Sequence, residues 1–171
     1  MPVMRRPPAW WRGPLWWGFV ALMWVAALWR LSPLPEPWMP DALLLALVGW
    51  VLAQRALPSW SSSVGRGAVL GGLKDLAGSG PFGGWLVVFA ATAWLTSQGA
   101  RTIVRDVPIT QVLWVALFTA GATIAYAGWL AVCGQGAMAL PLVWVFGLPS
   151  ALATGAASLV LFPLVRRIVE G

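Results

Sequence analysis

The chain has no histidine and no asparagine, a single cysteine and a single lysine in 171 residues, and only 9% of its residues are charged. Without histidine, and with Cys133 as the sole thiol, zinc sites and histidine-assisted nucleophiles are excluded. No internal disulfide can form either, and Cys133 reads as an incidental thiol. Acids are equally scarce: Glu36, Asp41, Asp75, Asp106 and Glu170. None of the other four forms an obvious acid–base pair with Asp75. Glycines 80, 83 and 84 resemble a phosphate loop in composition alone, lacking the lysine and hydroxyl that would follow. These absences lead us to expect no enzyme: no catalytic residue, no metal site and no cofactor. The missing asparagine, with ten arginines to one lysine, reads as genome composition.

What is present is apolar. Sixty per cent of residues are hydrophobic, and a soluble domain would carry roughly 25% charged residues, so the composition is that of an integral membrane protein. The apolar segments fall at 14–30, 40–57, 65–79, 81–98, 108–132 and 149–165. Arg5, Arg6 and Arg12 precede the first, Arg55 and Arg66 follow the second, Arg101 and Arg105 the fourth, Arg166 and Arg167 the sixth. With six crossings these nine of the eleven basic residues share one face, which the positive-inside bias makes cytoplasmic, and Arg30 alone lies outside. Without the weak third crossing the split becomes five against five. The expected fold is therefore an all-α, compact six-transmembrane-helix bundle forming one domain over 1–171. Both termini are placed in the cytoplasm. The net charge of +6 is carried by span-end arginines that orient the chain and meet anionic lipid in the bilayer; no nucleic acid is expected as a partner. The first span is longer than a signal-peptide core and ends Trp29-Arg30-Leu31 without a cleavage site, so it is expected to be retained.

Pro14, Pro40, Pro81, Pro108 and Pro149 stand at the first turns of five spans, where a missing N–H breaks no helical bond. The stretch 140–148, bracketed by Pro141 and Pro149, is expected to lie along the outer surface before the last span turns in. Fourteen tryptophans suit the aromatic belts of a membrane protein. Trp10, Trp11, Trp16, Trp17 and Trp60 are assigned to the inner interface, and Trp29, Trp38, Trp85, Trp129 and Trp144 to the outer one. Trp24, Trp50 and Trp94 fall deeper and are expected to pack between helices.

The third segment is the least ordinary. Gly67, Gly71 and Asp75 recur every four residues and share one helix face, flanked by Gly72 and Gly78. Small residues at this spacing let helices approach closely in lipid, so this span is expected to be central and covered by neighbours. Asp75 at mid-span costs about 2.5–3.5 kcal/mol on insertion scales. A structural role, bonding a neighbouring helix or a backbone N–H, is preferred to proton carriage or ligand binding. Lys74 is adjacent but does not face it, and its stem is long enough to snorkel outward.

The run Gly71-Gly72-Leu73-Lys74-Asp75-Leu76, then Gly80-Pro81-Phe82-Gly83, resembles the signature stretch of the rod-shape-determining membrane protein family MreD. Pro40-Asp41 opening the second span is similar too, as is Leu148-Pro149-Ser150-Ala151 through Phe162-Pro163-Leu164-Val165-Arg166-Arg167. The resemblance covers the chain from about residue 12; Lys74 departs from the family pattern, where a small or apolar residue is usual. It implies a non-catalytic scaffold and regulatory subunit of the cell-wall elongation complex. Such a subunit binds MreC and acts with the RodA glycosyltransferase, its penicillin-binding transpeptidase and the MreB filament in peptidoglycan synthesis. It also implies a fold similar to the S-component of energy-coupling-factor vitamin importers. A substrate-binding S-component is the alternative reading, with Ala151, Thr154, Gly155 and Ser158 as a helix-docking face on the sixth span. A proton path through Asp75 is a third.

Overall fold

The structure, a computed structural model, describes residues 12–28, 38–53, 60–78, 80–100 and 108–170. Trp10, Trp11, Trp29 and the arginines at 5, 6, 30, 55, 101 and 105 lie outside the described residues. The described chain is all helical: α1 (Arg12–Leu28), α2 (Ala42–Ala53), α3 (Trp60–Ala77), α4 (Gly84–Gly99), α5 (Pro108–Val132), α6 (Gly136–Pro141), a π-helical segment (Leu142–Gly147) and α7 (Leu148–Glu170).

Consecutive helices alternate in direction. Trp24 near the end of α1 donates to the carbonyl of Leu73 near the end of α3 (3.0 Å). At the opposite end, Arg66 early in α3 lies over Trp16 early in α1 and Trp50 late in α2. The helix formed by α6, the π segment and α7 returns antiparallel to α5: Gly147 abuts Thr123, and Gly155 abuts Ala116 and Val112. Two helices, Ile109–Val132 and Gly136–Pro163, are long and apolar enough to cross a membrane, while Ala42–Leu52 is a shorter apolar helix. Against the six expected spans, these two meet that test.

The centre of the bundle is α2, not the glycine-rich third segment. From Leu43 to Leu52 every residue of α2 is buried, as an apolar surface on all sides of a helix requires. The α3 helix packs one side against α2 and α4 but keeps an exposed edge at Val69 (49%) and Leu76 (70%). The stretch 140–148 does not lie along the surface. It continues the last helix, because the Leu148 N–H reaches back to the Val143 carbonyl. That wide turn lets Pro149, which has no N–H, sit inside a helix instead of starting one.

Small polar residues are buried within the apolar core, while many large apolar side chains face outward. Ser63, Asp75, Thr92, Thr96, Ser97, Thr119, Thr123, Thr154 and Ser158 are buried, while Leu113, Leu117, Leu152 and Val160 are each more than 60% exposed. The buried threonines return their hydroxyls to their own helix, as in Thr92 to Val88 (2.8 Å), Thr96 to Thr92 (2.7 Å) and Thr119 to Val115 (2.8 Å). This satisfies them without a partner helix or water.

Candidate functional site at the end of α3

The α3–α4 hairpin begins with glycine. A Cβ on Gly67 would stand 2.5 Å from the Phe89 carbonyl oxygen and 2.9 Å from the Ala93 Cβ. One on Gly71 would strike the Trp85 carbonyl and come within 2.6 Å of the Leu86 Cα. The two backbones therefore touch, and no side chain fits between them. Gly72, one residue round, has only the Leu86 Cδ1 at 3.9 Å.

This close approach brings Asp75 under the start of α4. Its carboxylate accepts the backbone N–H groups of Gly83 (3.0 Å), Trp85 (3.1 Å) and Leu86 (3.0 Å). A helix start leaves its first N–H groups without internal partners and carries a partial positive charge, so a carboxylate there is both bonded and electrostatically favoured. The cap comes from the preceding helix because the residue in the capping position is Gly83. Its φ of 95° turns the chain sharply into α4 and suits glycine. Gly80 in the same turn lies against the Tyr126 hydroxyl, and Pro81 follows it. Trp85 stacks on Tyr126 with centroids 4.1 Å apart and an interplanar angle of 14°, fixing the hairpin to α5.

Lys74 points the other way and does not snorkel outward. Its ammonium pairs with the Asp41 carboxylate and lies 3.6 Å from the centroid of the Trp85 ring. Asp41 is itself the cap of α2, accepting the Leu44 N–H at 3.1 Å. The Asp41 N–H donates to the Thr154 hydroxyl (2.8 Å), and the Ser150 hydroxyl donates to the Met39 carbonyl (3.0 Å). The start of α2, the end of α3 and the first turns of α7 are thus joined by one polar network. Beside it lies a cavity of about 240 Å³ lined by Trp24, Met39, Pro40, Asp41, Ala42, Leu43, Lys74, Ala77 and Ser150.

The residues singled out in sequence fall into three groups. Gly71, Asp75, Gly80, Pro81 and Gly83 meet in the hairpin, with Gly67 one turn below. Pro40, Asp41 and Pro149 flank the Lys74 network. Pro163 is exposed in α7 near the other end. The small-residue face is corrected: Ala151 (4%), Thr154 (0%) and Ser158 (1%) are buried, and Gly155 packs on Val112 and Ala116 of α5. An outside helix does not meet this face, because α2 and α5 already cover it. Among the tryptophans, Trp16 is not at a wet interface but 2% exposed, with its ring N–H unpartnered. Trp129 also buries an unpartnered ring N–H. Trp94 of the deeper set is 45% exposed.

Sequence reasoning missed the Lys74–Asp41 pair. The signal was present: alternating crossings put the start of the second span and the end of the third at one level. Among the described residues no group of three metal-binding side chains is gathered. No protein-family model matches the chain, and neither a curated protein nor a solved structure is significantly similar to it.

Proposed function

We propose that this chain is a six-crossing bacterial inner-membrane protein of the MreD kind. It would be a non-catalytic scaffold that binds MreC and supports the RodA glycosyltransferase, its penicillin-binding transpeptidase and the MreB filament in building the side wall. One observation carries the reading. Four of the sequence stretches that resemble the family are far apart in the chain, yet Pro40-Asp41, Gly71 to Leu76, Gly80 to Gly83 and Pro149-Ser150 converge at one end of the bundle, while Phe162-Pro163 lies toward the other. A shared motif has reason to persist when its parts hold one another.

Membrane residence is supported by two helices of 24 and 28 residues that are long and apolar enough to cross. The many large apolar side chains exposed on the exterior point the same way. Both termini are proposed to be cytoplasmic, since alternating helices put the starts of α1 and α3 and the end of α7 at one end. Asp75 is read as a structural residue, because its three N–H partners belong to the backbone it holds. Co-purification of the tagged protein with MreC in mild detergent tests the proposal.

The alternative, a substrate-binding S-component, draws on the 240 Å³ cavity beside Lys74 and Asp41. Recovery with an ATPase module and a bound small molecule would support it instead.

A further inference from the structure

At the end of the bundle opposite Asp75, Arg66 is enclosed by tryptophan. Its guanidinium carbon lies 4.1 Å from the ring centroid of Trp50, 4.9 Å from that of Trp16 and 5.8 Å from that of Trp17. Trp16 and Trp50 are buried at 2% and 5%, and Trp17 is 38% exposed. Two helices, α1 and α2, thus contribute rings to a cation carried by α3. The cage lies toward the bundle end that holds the starts of α1 and α3 and the end of α2. For a chain that spans a bilayer, such a bundle end faces one headgroup layer.

Among the described residues no carboxylate, carbonyl or hydroxyl accepts from Arg66. Asp41 and Asp75, the acids whose side chains are described, are both engaged two turns or more away at the other end. Indole faces attract the charge but accept none of the five guanidinium N–H groups. Those donors suit a tetrahedral phosphate, whose paired oxygens match the guanidinium fork.

We propose that Arg66, held by Trp16, Trp17 and Trp50, is a binding site for the phosphate of an anionic phospholipid headgroup. The proposal rests on the membrane reading but not on any partner protein. The half-exposed Trp17 borders the site, and its ring would cover the glycerol and first methylenes of the lipid. The lipid would thereby join α1, α2 and α3 at the end that lacks the Lys74–Asp41 network.

The test uses the full chain purified in mild detergent and titrated with phosphatidylglycerol, phosphatidylcholine or inorganic phosphate, read by native mass spectrometry. Wild type should retain phosphatidylglycerol in preference to phosphatidylcholine, and Arg66→Gln should weaken that retention roughly ten- to hundredfold. Arg66→Lys keeps the charge but not the fork and should fall between them, which keeps the test decisive if Arg66→Gln does not fold. Equal phosphatidylglycerol binding by wild type and a folded variant overturns the proposal, as does displacement of the lipid by millimolar inorganic phosphate. Recovery of wild type in the soluble fraction of cells would overturn the membrane reading itself, whereas membrane recovery with unselective lipid binding sinks only the Arg66 site.

Discussion

The Asp75 carboxylate and the Trp85 backbone N–H are joined at 3.1 Å across the turn between α3 and α4, so the one acid placed mid-span by sequence serves as the cap of the next helix. Two further N–H groups share it. Its removal should therefore be felt in stability before any transport property. Asp75→Ala should destabilise the bundle by about 2 kcal/mol or more, since buried donors lose a charged acceptor. Thermal unfolding in detergent measures this. An unchanged midpoint together with a lost proton flux would favour the proton path.

Adjacent glycines should respond in opposite ways. Gly71→Ala drives a methyl into the Trp85 carbonyl and should cost about 1–3 kcal/mol, or force α3 from α4. Gly72→Ala meets nothing closer than 3.9 Å and should be neutral or stabilising by up to about 1 kcal/mol. Unfolding midpoints of the pair decide whether backbone contact, rather than glycine content, sets this hairpin.

Lys74 and Asp41 should be coupled. Their side chains are 24% and 12% exposed, so truncating either leaves a mostly buried charge. A double-mutant cycle with Lys74→Met and Asp41→Asn should give a coupling of about 1–3 kcal/mol. A coupling near zero would mean that the pair does not join α2 to α3.

Cys133 is free and exposed after α5, and the proposed six-crossing arrangement would put it in an outer turn. A membrane-impermeant maleimide added to intact spheroplasts should label it fully. Labelling only after lysis would reverse the orientation or change the number of crossings.

Much of the helical plan was legible because it rests on single strong signals. The fifth segment, 108–132, has the bounds of α5, opened by Pro108 and closed before Gly134 with its φ of 80°. Gly67, Gly71 and Asp75 were assigned one face by spacing, and that face meets α4. The last helix was misread because Pro149 was taken as a start, whereas a π turn absorbs a proline within a helix. Burial was harder still. Ala151, Thr154 and Ser158 form the same small-residue stripe whether a neighbour within the chain or a foreign helix covers them, and spacing does not distinguish the two. The Lys74–Asp41 pair joins residues 33 apart in sequence, and pairing of that kind follows from topology, not from local pattern.

The most direct measurement is affinity purification of the tagged protein in mild detergent, with co-purifying partners identified by mass spectrometry. The account predicts recovery of MreC with the elongation synthases, and loss of that recovery in Gly71→Leu. Recovery of an importer ATPase module carrying a bound vitamin, or wild-type recovery of MreC by Gly71→Leu, would contradict it.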